Sequence, residues 1–185
     1  MTSQPPYVLG PMPRDRRMTT VDERIVAAPL PVIFDLAADV ERWPARLTHY
    51  RFVRMLERRN DGGGLVEMSA DRDFGPLPWP TWWTSIMTVA RPERSAEPAV
   101  RFRHVRGITT GMDVEWSFES IDAGTRVRIV HVWNGPPWPV IGDVAARAVI
   151  GPLFVHGIAA RTLAGLARAA EDLMTHDSRT EVSSG

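Results

Sequence analysis

Neither cysteine nor lysine occurs in the 185 residues. Without cysteine there is no disulfide framework, no thiolate metal site, no iron–sulfur ligation and no cysteine nucleophile, which fits a reducing, cytoplasmic setting. Without lysine there is no Schiff-base chemistry and no Walker phosphate loop. Surplus charge is missing as well. The 22 basic residues, all arginine, balance 22 acidic ones, so the chain lacks the positive excess on which nucleic-acid binding feeds, and no nucleic-acid partner is expected. Apolar residues make up 44% of the chain, but no run approaches the roughly 20 residues that span a bilayer. What is present is enough for one domain, which at this length hides roughly 70% of its unfolded surface and needs neither cross-links nor a structural metal.

The ends differ in composition from the middle. Pro5, Pro6, Pro11, Pro13 and the cluster Arg14, Asp15, Arg16, Arg17 carry no apolar stretch of the signal-peptide kind, so residues 1–18 read as an extended arm. Residues 177–185 read as a disordered tail, which leaves a single domain over 19–176.

Within that domain, weak period-two alternation over 19–28 predicts a strand stopped by Pro29. Val32, Ile33, Leu36, Ala37 and Val40 follow at helical spacing, ending near Trp43-Pro44 because proline disfavours helical geometry in the residue before it. A second short turn of helix is predicted after that. Strand-like segments then recur at 50–58, 65–72, 82–91, 99–107, 112–121 and 126–133, separated by Gly-, Pro- and Asp-rich turns. The stretch from Gly75 to Pro80 is too proline-rich to read as regular structure. Alternation is sharpest where Met112, Val114, Trp116 and Phe118 oppose Asp113, Glu115, Ser117 and Glu119, which predicts one covered and one wet face. From 140 onward the spacing turns helical. An unbroken helix over that whole stretch would be roughly 55 Å long, so a break is placed at Gly151-Pro152. A long helix follows, with Ile158, Thr162, Leu166, Ala169 and Leu173 as its apolar stripe.

A strand, a helical hairpin, a six-stranded meander and a long amphipathic helix make an α+β chain. Its long helix can bury a stripe only against the sheet, leaving a cavity between them. Six segments carry a resemblance to a known family: AAPLPVIFDLAADVERWP (27–44), LVEMSADRDF (65–74), WWTS (82–85), RFRHVRG (101–107) leading to GMDVEWSFE (111–119), GTRVRIVHVW (124–133) and FVHGIAARTLAGLARAAE (154–171). Together they resemble the START-like (helix-grip, SRPBCC) superfamily, and within it the polyketide cyclase/dehydrase (aromatase/cyclase) family. The resemblance implies a curved antiparallel sheet of about seven strands wrapped around a long C-terminal helix, with two short helices after the first strand. It also implies a hydrophobic ligand of polycyclic or polyketide type, cyclase or dehydratase chemistry, and an acyl-carrier protein as a possible partner. Trp43 and Tyr50 match residues that line the cyclase pocket. Met87 stands where the family places a pocket arginine, two residues after a Trp-x-Ser, so an anionic intermediate would need Arg72 or Arg161 instead. The alternative within the same superfamily is a non-catalytic carrier or sensor of a lipid or quinone.

Several individual residues also admit plainer roles. His49, His104, His131, His156 and His176 show no metal-ligand spacing, so no metal and no other cofactor is expected. Alternation places His131 and Trp133 on one face of the last strand and His104 on one face of an earlier strand. Both histidines read as satisfied core groups or as ligand contacts. Adjacent Trp82 and Trp83 must face opposite ways. Glu67 and Asp71 read as members of a solvated face, or as acid/base groups were the register reversed. Ser69, Ser85 and Ser117 lack a nucleophile elbow, and the glycine run 62–64 precedes a strand and not a helix, so it is no dinucleotide cradle. The candidate ligand contacts are Trp43, Tyr50, Met68, Trp83, Met87, His104, Trp116, His131 and Trp133, with Ile158 and Thr162 of the helix. Tyr50 and His131 are the candidates for moving protons.

Overall fold

A computed structural model describes residues 7–74, 77–135 and 156–182. Its elements run β1 (Met18–Val26), α1 (Leu30–Ala38), a 3-10 turn (Val40–Arg42), α2 (Trp43–Arg46), β2 (Tyr50–Arg58), β3 (Gly64–Phe74), β4 (Leu77–Ala90), β5 (Ala99–Gly107), β6 (Asp113–Ile121), β7 (Gly124–Trp133) and α3 (His156–Val182). The seven strands form one curved, fully antiparallel sheet in the order β1-β7-β6-β5-β4-β3-β2. Six of them are a meander, and β1 closes the row by pairing Met18 with Trp133 and Val26 with Thr125. This is the helix-grip α+β fold expected from the sequence.

The inner face is built by alternation. Val100 and Phe102 on β5, Val114, Trp116 and Phe118 on β6, and Val127 and Ile129 on β7 are all buried. α1 lays Phe34 edge-on against Phe118, ring centres 5.1 Å apart. α3 covers the same face with Ala159, Thr162, Leu163, Leu166, Ala167 and Ala170 buried. At these apolar areas each fully covered Leu or Val contributes about 1.5–3 kcal/mol.

Several local expectations give way to the structure. α1 ends at Ala38, and Pro44 sits in the first turn of α2, where its missing N–H removes no helical bond, so it opens a helix instead of ending one. β4 begins at Leu77 and runs through Pro78 and Pro80, which pair with Asp73 and Asp71 of β3. This works because β5 joins β4 only from Trp83 onward, leaving the proline stretch an open edge where a lost donor need cost no ladder bond. On α3 the buried stripe is rotated from the expected one: Ile158 and Ala169 are only partly covered, and Leu173 is 49% exposed. The helix continues to Val182, past the expected start of the tail, since 176–182 contains no breaker. The short helix expected before Gly151, and the break there, lie outside the described residues.

The N-terminal arm is extended but docked. Arg103 donates to the Leu9 carbonyl at 3.2 Å and Arg101 donates to that of Gly10. Both arginines alternate with the inward Val100 and Phe102, so the arm crosses the outer face of the sheet. Leu9 is buried, Tyr7 donates to Glu57 Oε2 at 3.1 Å, and the Arg59 guanidinium lies 3.7 Å from the Tyr7 ring centre.

Candidate functional site

Between the inner face and the N-terminal half of α3 lies a cavity of about 60 Å³. Its aromatic wall is one connected set of rings. Trp43 is 5.2 Å from Tyr50 and 5.7 Å from Trp116, and Tyr50 is 6.4 Å from Trp83. The Trp43 indole is fixed by donating to the Leu36 carbonyl at 3.1 Å, so the end of α1 sets the angle of this wall. Trp83 stacks on His104 with ring centres 5.8 Å apart and 17° between planes. Trp82 faces the other way, 40% exposed, donating to Glu67 Oε1 at 2.9 Å.

Polar groups meet the cavity in two places. On the β2 side, His49 Nε2 and Thr162 Oγ1 are 3.0 Å apart, and Thr162 donates to Tyr50 Oη at 3.5 Å. On the β5–β7 side, His104 Nδ1 is 2.6 Å from Thr109 Oγ1 and His131 Nδ1 is 3.4 Å from Thr20 Oγ1. A register shift between β4 and β5 sets Ser85 opposite His104, skipping Val105, and so keeps the imidazole on the inner face next to Trp83. Gly107 allows this closeness: its φ is +94°, and a Cβ there would lie 2.3 Å from the Trp82 carbonyl oxygen.

Of the residues singled out from the sequence, Trp43, Tyr50, Met68, Trp83, His104, Trp116, His131, Ile158 and Thr162 line this cavity. Met87 and Trp133 do not. Met87 is on the inner face but 1% exposed, packed into the core beyond Ser85. Trp133 has the right parity, but its indole donates to the Thr110 carbonyl at 3.0 Å and is held under the β5–β6 turn. The lining also includes Phe102, Met112, Val114, Ile129 and Ala159, which had been read only as strand or helix positions. His49 was missed as a site residue. Adjacent strand residues face opposite ways, but His49 lies in the turn before β2, so its ring sits 4.8 Å from that of Tyr50 on the same side.

No carboxylate or guanidinium is among the lining side chains described. Glu67 and Asp71 belong to the wet face: Asp71 lies 3.8 Å from Arg51, both well exposed. Arg161 is exposed, and the Arg72 side chain lies outside the described part. Among the described residues no cluster of three or more histidine, aspartate or glutamate side chains could hold a metal. None of the helices described is long and apolar enough to cross a membrane.

The sequence and the fold have counterparts. A curated protein of Streptomyces halstedii named "Putative polyketide cyclase" is 30% identical over 113 residues, covering 59% of this chain and 94% of the relative. The solved Zhui aromatase/cyclase from Streptomyces sp. R1128 superposes with a TM-score of 0.65 at 20% identity, over 83% of this chain and 93% of its own. A START superfamily protein from Mycobacterium smegmatis does so with a TM-score of 0.59 at 19% identity, over 84% and 97%. At these identities the two solved structures share the fold. The family model described as polyketide cyclase/dehydrase and lipid transport matches residues 26–153, well over half of the sequence, and the chain belongs to that family.

Proposed function

We propose that the cavity binds a hydrophobic, ring-forming or polycyclic molecule of polyketide type and orients it for cyclisation or dehydration. The observation that carries this is an aromatic wall with hydroxyl and imidazole groups at two separate places and no charged lining side chain described. Such a site suits an apolar ligand with a few oxygens. Catalysis would come mainly from holding the chain in a near-reactive fold, with Tyr50 and His131 moving protons at its oxygens. A volume of about 60 Å³ is well below the roughly 300–1,000 Å³ of pockets that hold such ligands. A ring system therefore enters by displacing Met68 and Met112, the unbranched and adaptable members of the wall. Delivery by an acyl-carrier protein belongs to this reading.

The test is a titration with 1-naphthol followed by tryptophan fluorescence, together with native mass spectrometry of the purified protein for a retained ligand. Tyr50→Phe and His131→Ala should each weaken naphthol about two- to tenfold, the worth of one hydrogen bond, without moving the unfolding midpoint. Unchanged affinity in both variants would refute the site.

That none of the lining side chains described is charged favours one second reading, a non-catalytic carrier of a lipid or quinone. A poly-β-ketone thioester separates the two: the carrier returns it unchanged, the cyclase converts it. An arginine placed at Met87 is not expected to assist turnover, because it would bury a guanidinium in the core.

A further inference from the structure

We infer that β1 pairs with the β1 of a second copy of this chain, antiparallel about a two-fold axis at Glu23, so that two sheets join edge to edge. β1 and β2 are the two edges of the sheet, and a bare edge is a template for another strand. The β2 edge is blunted. Its register shifts at Tyr50/Phe52 and again at Met55/Glu57, and the Glu41 carboxylate accepts the Met55 N–H at 2.9 Å and pairs with Arg58. β1 has none of these devices. Its nine residues, MTTVDERIV, contain no proline and no lysine and pair with β7 without a shift. Among the described residues no strand pairs with its other side.

That the occupant is a second copy follows from the order of residues along the strand. Val26 is buried on the inner face, so Thr20, Asp22 and Arg24 share that face. Val21, Glu23 and Ile25 share the outer one, where Val21 and Ile25 are 44% and 51% exposed. A two-fold antiparallel pair that keeps inner side chains opposite inner ones must be centred on a residue. Centred on Glu23, it sets Val21 opposite the partner's Ile25 on the outer face, twice over, and Arg24 opposite the partner's Asp22 on the inner one. Asp22 keeps its contacts within its own chain, since a carboxylate has about four acceptor sites. Centred on Asp22 or on Arg24 instead, the pair sets an apolar side chain against Glu23 and loses the match of Asp22 with Arg24. At the chosen centre Glu23 faces its own copy, but each Glu23 has Arg126 at 3.6 Å. With 22 basic and 22 acidic residues, two copies carry no net charge to hold them apart.

The chain has no cysteine, so single cysteines report the register. Opposed residues in an antiparallel pair have Cα atoms about 4.5–5.5 Å apart, within disulfide reach. Under a mild oxidant Glu23→Cys should link to its own copy about tenfold faster than Val21→Cys, whose two copies stand four residues, or about 13 Å, apart along the pair. Val21→Cys mixed with Ile25→Cys should link as readily as Glu23→Cys. Sedimentation equilibrium of the intact chain should show monomer and dimer in exchange. Glu23→Gln, which removes the like-charge contact, should tighten the dimer about two- to fivefold, and Val21→Lys should weaken it about tenfold. Because these side chains are exposed in the monomer, each variant should keep the native unfolding midpoint in dilute solution, which checks that it folds. A chain that stays monomeric up to about 1 mM overturns the inference, as does a dimer in which Glu23→Cys links no faster than Val21→Cys. A dimer that forms only on refolding at high concentration, with no link from Glu23→Cys, is an exchange of β1 between chains and overturns it as well.

Discussion

Leu166 and Leu173 sit on the same helix and were read from the sequence as one apolar stripe, yet the structure buries the first completely and leaves the second 49% exposed. The same substitution should therefore give two different results. Leu166→Ala removes three carbons, worth about 2.4 kcal/mol at about 0.8 each. Its helix neighbours Ala167 and Ala170 are buried, small and unable to reach into the gap, so a cavity term adds to that, and a total of about 3–4 kcal/mol is expected. Leu173→Ala should cost less than about 0.5 kcal/mol, the scale of surface changes. Urea unfolding followed by tryptophan fluorescence measures both, with an unchanged slope required for the comparison. Equal losses would mean that α3 is not rotated as described, and a loss below about 0.5 kcal/mol at Leu166 would remove the helix from the core altogether.

Deleting residues 1–16 removes the Tyr7 and Leu9 contacts; a loss of about 1–3 kcal/mol is expected, seen in calorimetry as a fall of about 3–10 °C, with naphthol affinity unchanged because the arm lies on the outer face. Gly107→Ala should both destabilise the chain and shift Trp83, since the new Cβ would also lie 2.7 Å from Trp83 Cα; weaker naphthol binding by fluorescence checks it. Asp113→Asn removes the negative charge from the acceptor of the 2.7 Å bond from Arg103, a carboxylate that is 2% exposed. With Arg103 itself 36% exposed, water takes up part of the loss, and about 1–2 kcal/mol is expected by urea unfolding.

What could be read from the sequence is what obeys a period. The alternation of Val114, Trp116 and Phe118 against Glu115 and Ser117, and the opposite facing of Trp82 and Trp83, follow from strand geometry alone and hold in the structure. Trp43 and Tyr50 came from the family likeness, and they meet 5.2 Å apart although seven residues separate them. What could not be read depends on places where the period breaks. His49 turns inward because it precedes the strand. Trp133 keeps its parity but swings to a carbonyl in another loop, and parity says nothing about where a long side chain ends. Met87 is inward yet lies beyond the cavity, because depth along a strand depends on where α3 crosses it. Pro78 and Pro80 read as breakers on proline content alone, and nothing in the sequence shows that β5 pairs with β4 only from Trp83 onward.

The pairing of β1 with β7 also bears on how the chain reaches this state. β2 to β7 can zip hairpin by hairpin, each closing a short loop, but β1 has no partner until Trp133 exists, and the loop it closes is among the longest in the sheet. Docking of β1 is thus a late, non-local event of the kind that slows folding. Val26, fully buried at the end of β1, should accordingly show its loss in the unfolding rate: Val26→Ala should speed unfolding and leave refolding nearly unchanged in stopped-flow measurements. A slower refolding arm would instead place β1 in the nucleus. Until it docks, the β7 edge stands open, and a second chain's β1 could take the place of its own.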